Sequence, residues 1–239
     1  MTRAQTPPKT TPPKRRSTQK AHADPQSSAN QKEQLLQAFL ELAATEGWSE
    51  QTLQKAAQTC GMADVMVWAL FPEKEVDALR TWSNVLNTQL KARLHALDLD
   101  TMKVRTRIFW GVKMHLNLLE PHKKTAKSAL RFLLSPSRAL LATELLQATV
   151  HTIWSAAGDA STDYNFYSKR ILLAGVYIST VLFWLRDASP EHLETNRFLE
   201  ARINDVLKLQ AFKPPKDLIQ LGPTLLKKAW QACGFFGSR

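Results

Sequence analysis

Histidine is the residue most able to do acid–base or metal chemistry near neutral pH, and the chain carries six: His22, His95, His115, His122, His151 and His192. Their spacing assembles nothing. None stands in the Glu-x-x-His pair that helical di-iron carboxylate sites require, and no HExxH, GxSxG, GxGxxG or GxxxxGK[ST] run occurs. The two cysteines, Cys60 and Cys233, lie far apart and outside any CxxC or Cys/His cluster, which suits a reducing compartment and disfavours a disulfide framework or structural zinc. Asp159 and Asp163 come nearest to paired carboxylates. Beside them Ser161, Thr162 or Asp163 reads as the cap of a helix opening at Tyr164. The chain therefore reads as a protein without catalysis, metal or cofactor, whose work is binding.

The elements that would position a binding site are helices. Apolar residues recur at three- and four-residue spacing almost throughout, glycine is scarce at 8 of 239 residues, and no period-two run is sustained; the fold class predicted is all-α. The expected helices cover 31–46, 51–59, 62–70, 73–97, 102–119, 122–134, 137–156, 164–186, 190–210 and 216–233. Pro72, Pro121, Pro136, Pro190 and Pro215 stand at or just before helix starts, where a missing N–H costs little. Ile171 to Leu185 is almost wholly apolar, but fifteen residues span only about 22 Å against a hydrocarbon core of about 30 Å. A buried central helix is expected there.

The formal net charge is +11, and its placement matters more than its size. Residues 1–30 carry six basic groups against Asp24, and 207–239 carry six against Asp217, so the intervening body is nearly neutral. Residues 1–30 lack Leu, Ile, Val and Phe and contain Pro7-Pro8 and Pro12-Pro13. They read as a disordered basic tail; a transit peptide is the rival reading, disfavoured by the missing apolar face. The organisation expected is a tail over 1–30, a helix-turn-helix-like unit over 31–80, a helical lipid-binding domain over 81–212 and an amphipathic membrane-contact helix over 213–239.

Within 31–80, Leu35, Leu36, Phe39 and Leu42 give the first helix an apolar face, and Ala56-Ala57 followed by Cys60-Gly61-Met62 makes a tight bend. With Leu70-Phe71-Pro72-Glu73-Lys74-Glu75-Val76-Asp77-Ala78-Leu79 after the third helix, this stretch resembles the N-terminal domain of TetR-type repressors. A DNA reader places Lys, Arg, Ser or Asn on that third helix. Here it reads Met62-Ala63-Asp64-Val65-Met66-Val67-Trp68-Ala69, and 31–80 holds four basic residues against eight acids, a net of −4. The scaffold is kept without a phosphate-binding face, so no nucleic-acid partner is expected. A ligand-responsive TetR-type regulator is the alternative function.

Residues 154–170 form a polar turn crowded with aromatics, Trp154-Ser155-Ala156-Ala157-Gly158-Asp159-Ala160-Ser161-Thr162-Asp163-Tyr164-Asn165-Phe166-Tyr167-Ser168-Lys169-Arg170. Together with Glu46-Gly47-Trp48 and Phe198-Leu199-Glu200-x-Arg202-Ile203-Asn204-Asp205, it resembles the TetR-related accessory family of ubiquinone biosynthesis. The resemblance implies a homodimeric TetR-like fold that holds an isoprenoid lipid, quinone precursor or phospholipid. It further implies partnership with the demethoxyubiquinone hydroxylase through a patch of Asp159, Asp163, Tyr164, Asn165, Phe166, Tyr167 and Arg170; Phe166 stands where the family often has Trp. The location implied is peripheral: cytoplasmic on the inner membrane in a bacterium, or the matrix side of the mitochondrial inner membrane in a eukaryote. From residue type and helical spacing, the pocket wall is expected among Trp110, Met114, Leu118, Phe132, Trp154, Tyr177, Phe183 and Trp184.

The C-terminal segment points to a surface without any family. Advancing about 100° per residue gathers Lys216, Lys227, Lys228 and Gln220 on one side, and Leu218, Ile219, Leu221, Leu225, Leu226 and Trp230 on the other. Phe235 and Phe236 extend the apolar side. This is the partition of an interfacial helix, and nearby lysines each add about 1 kcal/mol of attraction to an anionic leaflet. The predicted function is lipid binding at an anionic membrane surface, with the lipid presented to a hydroxylase.

Overall fold

The computed structural model describes residues 25–99, 101–158 and 164–211, and it is helical. The elements are α1 (Pro25–Ala43), α2 (Glu50–Thr59), α3 (Asp64–Leu70), α4 (Glu75–His95), α5 (Val104–Leu119), α6 (Lys123–Leu133), α7 (Ala139–Ala156), α8 (Tyr164–Trp184) and α9 (Leu193–Ala211), with one-turn 3-10 segments before α6, α7 and α9. Pro121, Pro136 and Pro190 sit in the first positions of those 3-10 turns, where the missing N–H is one the helix start leaves unpaired. The helix over 216–233 and most of the basic N-terminal segment lie outside the described residues. The first helix opens at Pro25 rather than at residue 31, because Pro25 fits a first helical position and nothing breaks the chain before the apolar face begins at Leu35.

The helix-turn-helix follows from local chemistry. Ser49 caps α2, its Oγ accepting from the Thr52 N–H at 3.2 Å. Gly61, at φ +67°, turns the chain left-handed after α2, and the Met62 N–H closes back on the Ala57 carbonyl at 2.9 Å. Past α3, Phe71 is fully buried, and the Asp77 carboxylate accepts from the Glu73 N–H at 2.6 Å to start α4. The Trp48 indole N–H donates to the Glu75 carbonyl at 2.9 Å, pinning the loop after α1 onto α4.

α4 runs unbroken through residue 80, so the helix-turn-helix unit and the helices that follow share an element, and one core joins Leu35 on α1 to Ile203 on α9. The Thr125 hydroxyl donates to the Leu40 carbonyl at 2.9 Å, a buried tie between α6 and α1. Gly111 lets α5 approach α7 closely, since a Cβ there would stand 2.6 Å from Ile153 Cγ2. The expectation of a buried central helix over 171–185 is corrected. α8 buries Leu173, Val176, Thr180 and Trp184 but leaves Ile171, Ile178 and Leu182 exposed. Its apolar residues occupy both faces, and only one of those faces is packed against α7 and α9.

Candidate lipid cavity

Five helices, α4 to α8, line an apolar cavity of about 410 Å³ that is open on one side, inside the range of about 300–1,000 Å³ typical of small-molecule sites. Leu79, Trp82 and Leu86 of α4, Ala129 and Leu133 of α6, Leu145 and Leu146 of α7, and Val181 and Leu182 of α8 supply most of the wall. Among the described residues, no Lys, Arg, Asp or Glu lines it. The helical spacing explains the convergence: Leu79, Trp82 and Leu86 share a face of α4, as Ala126, Ala129, Leu130 and Leu133 do on α6. At the rim Leu134 is 73% exposed.

Two polar side chains of this wall are hydrogen-bonded to each other. His115 of α5 is 4% exposed, and its Nδ1 lies 2.9 Å from the Tyr177 hydroxyl of α8, the two rings edge to face at 5.5 Å between centroids. Burial lowers the His115 pKa to about 4 and raises that of Tyr177 above the usual phenol value. Both groups are therefore neutral at physiological pH. The remaining side-chain polar atoms in the wall are the Trp82 indole N–H and the hydroxyls of Ser83, Thr143 and Thr149, of which Thr143 already donates to the Ala139 carbonyl at 2.8 Å.

A second cavity, about 380 Å³, lies where α5, α7, α8 and α9 meet and is walled by Val104, Ile108, Trp154, Leu173, Val176 and Ile203, with Arg105 and Lys169 also lining it. The Trp154 indole N–H donates to the Lys169 carbonyl at 3.2 Å. Close by, Arg107 holds the Met102 and Ala157 carbonyls at 2.9 and 3.1 Å, fixing the chain beside Gly158.

The eight residues expected in one pocket wall are distributed. Tyr177 lines the α4–α8 cavity and Trp154 the second one. Trp110 borders a polar groove with Arg105, Glu200 and Asn204. Leu118 and Trp184 are buried in the core, where the Trp184 indole N–H donates to Glu120 at 2.9 Å. Met114 packs half-buried against the core. Phe132 lies beneath the Arg138 guanidinium at 3.7 Å, and Phe183 stacks on Phe198 at 4.5 Å. His115, Trp82, Leu146 and Val181 were not anticipated. His115 immediately follows Met114 on α5, yet its partner is 62 residues away, a separation that no local periodicity reveals.

Of the residues expected to meet a partner, Asp159 and Asp163 lie outside the described residues, as do all those expected to touch a membrane: Leu218, Ile219, Leu221, Leu225, Leu226, Lys227, Lys228, Trp230, Phe235 and Phe236. Tyr164, Asn165 and Phe166 form the first turn of α8, Tyr167 is half-buried, and Arg170 is buried. The charge of Arg170, after burial itself, helps lower the pKa of His151. The third helix of the helix-turn-helix exposes Val65 at 80% and Met66 at 39%. No group of His, Cys, Asp and Glu able to hold a metal occurs among the described residues, and none of the described helices is long and apolar enough to cross a membrane.

Residues 139–210, spanning α7 to α9, match the family model described as COQ9. The chain is 30% identical over 197 residues to the mitochondrial ubiquinone biosynthesis protein COQ9 of Bos taurus, the match covering 78% of this chain and 60% of that protein. For the Rattus norvegicus protein of the same name the identity is 31%, covering 78% and 62%, and for the Homo sapiens protein it is 29%, covering 78% and 60%. The chain thus spans about three-fifths of the length of these relatives. Among solved structures, a TetR transcriptional regulator from Nitrosomonas europaea is similar with a TM-score of 0.59 at 18% identity, over 73% of this chain and 97% of that one. The all-helical, TetR-like fold expected from the sequence is thereby established.

Proposed function

Because the chain belongs to the COQ9 family of ubiquinone biosynthesis proteins, we propose that it binds an isoprenoid or quinone intermediate of that pathway and presents it to the demethoxyubiquinone hydroxylase. The observation that carries this reading is the cavity of about 410 Å³ among α4–α8, to whose wall the described residues contribute no charged side chain. Burial in such a site rewards a ligand by roughly 25 cal/mol per Å² of apolar surface withdrawn from water. Two of its five helices, α7 and α8, fall inside the family-matched segment.

The rest of the proposal joins this cavity to its surroundings. The apolar face over 218–236 rests on a membrane with Lys227 and Lys228 toward anionic headgroups, and the chain acts at the inner membrane. Residues 159–170 receive the hydroxylase. The exposed Ile171, Ile178 and Leu182 of α8 give a self-complementary apolar stripe suited to a homodimer. The exposed Val65 and Met66, with the −4 charge over 31–80, favour this reading over a DNA-binding regulator, whose third helix would need basic and polar groups. No chemistry is assigned to the protein itself.

The test is purification without detergent from a cell that makes ubiquinone, followed by native mass spectrometry and extraction of the bound molecule. The expected result is a polyprenylated ring precursor at up to one per chain. A chain that emerges empty, or carries only the bulk lipids of its host in their natural proportion, overturns the proposal.

A further inference from the structure

We infer that the His115–Tyr177 pair is the recognition element of the α4–α8 cavity, and that it selects a lipid whose head is a neutral oxygen acceptor rather than an anionic group. The inference rests on the cavity being a lipid site and adds to that which lipids enter. Apolar walls alone cannot discriminate heads, because a hydrocarbon tail is chemically like the leucines around it. Discrimination must come from the few polar atoms present, and among the described residues the ring pair hydrogen-bonded across the wall is His115 and Tyr177, joined at 2.9 Å across α5 and α8.

Counting hydrogens gives the specificity. A neutral imidazole carries one N–H and a phenol one O–H. Their mutual bond consumes one of these two hydrogens whichever way it runs. If the Tyr177 hydroxyl donates to Nδ1, the free donor is the His115 Nε2–H; if Nδ1–H donates to the hydroxyl oxygen, the free donor is the Tyr177 O–H. One donor remains in either tautomer, and His115 makes no other hydrogen bond among the described residues. That donor, beside the other neutral donors of the wall, the Trp82 indole N–H and the hydroxyls of Ser83 and Thr149, matches a carbonyl, methoxy or phenolic oxygen. It cannot repay the desolvation of a phosphate or carboxylate, which in such a medium costs several kcal/mol per charge. The second cavity differs in this respect, since Arg105 and Lys169 line it.

The test titrates the full-length protein, stripped of lipid, with three probes that share a ten-carbon tail: a decyl-substituted dimethoxybenzoquinone, decylbenzene and decyl phosphate. Binding is read by calorimetry. The expected order has the quinone at least tenfold tighter than decylbenzene, with decyl phosphate no tighter than decylbenzene, about tenfold being the size of one neutral hydrogen bond in a buried site. Tyr177→Phe leaves the His115 imidazole one free N–H, so it should keep most of the quinone's advantage and leave decylbenzene unchanged. Because either single change leaves a partner group buried, the double variant His115→Phe with Tyr177→Phe serves as the second probe. It replaces both polar groups by rings of similar shape and should bind quinone and decylbenzene equally. Equal affinities in the wild type, a preference for decyl phosphate, or a loss in the variants shared by quinone and decylbenzene would overturn the pair's role while leaving the cavity a lipid site. Failure of all three probes to bind the wild type would overturn both readings.

Discussion

At the scale of single residues, His115 carries a stability signature that can be read without any ligand. Its pKa is lowered to about 4 by burial, from 6.5 when free. The folded state therefore holds fewer protons than the unfolded one between those values, and stability rises with pH across that window. The contribution is complete above pH 6.5 and is lost as pH falls toward 4. Unfolding in urea at pH 7 and pH 5 should show a loss of about 2 kcal/mol assignable to this side chain. The variant His115→Phe with Tyr177→Phe should lose correspondingly less over the same interval; an identical pH profile in both proteins would show that His115 does not titrate in this way. Legibility at this scale was uneven. Tyr177 stood out by type, whereas His115 read as one of six scattered histidines, since a contact across 62 residues is a product of the fold and not of any local pattern.

At the scale of elements, the sequence marked most helices within a few residues, because prolines and glycines punctuate this chain where helices start and stop. Pro121, Pro136 and Pro190 did so, and Gly61 did so through its positive φ. The orientation of α8 was less legible. A run apolar on both faces has no dominant moment to tell its packed side from its open one, so Ile178 and Leu182 were expected to be buried and are exposed. The pocket wall was obscured for a related reason: an aromatic at helical spacing serves core and cavity equally, as Trp184 and Trp154 do in turn. The proposed membrane element makes its own prediction. Trp230→Ala combined with Leu226→Ser should markedly reduce co-sedimentation with vesicles of one-quarter anionic lipid. The helical circular dichroism of the described body should stay the same. Undiminished co-sedimentation would remove 216–236 as the membrane contact.

At the scale of the whole molecule, the TetR-like arrangement explains how one core serves two ends. α4 extends from the helix-turn-helix unit into the helices around the cavity, and the Thr125–Leu40 and Trp48–Glu75 hydrogen bonds fasten α6 and α4 to that unit. The helix-turn-helix here buries Phe39, Leu53 and Phe71 and buttresses α4 and α6, so its retention needs no DNA to explain it. Leu134, Ile178 and Leu182 line the cavity and are also exposed, so its apolar wall continues onto the surface. Net charge located the ends of the chain as the basic parts and the body as nearly neutral, but a cavity formed by five helices separated in sequence is visible only once they are packed.

The central claim is that this cavity, and no other part of the chain, holds the lipid, and blocking it is the most direct test. Ala142 lies in the wall on α7 and is only partly buried, so Ala142→Trp places an indole in the cavity with little cost to the core. Native mass spectrometry of the wild type and this variant, purified side by side, should find lipid on the wild type and at least a tenfold lower occupancy on the variant, with thermal melting points within a few degrees of each other. Equal lipid on both proteins would contradict the account and move the ligand elsewhere in the molecule.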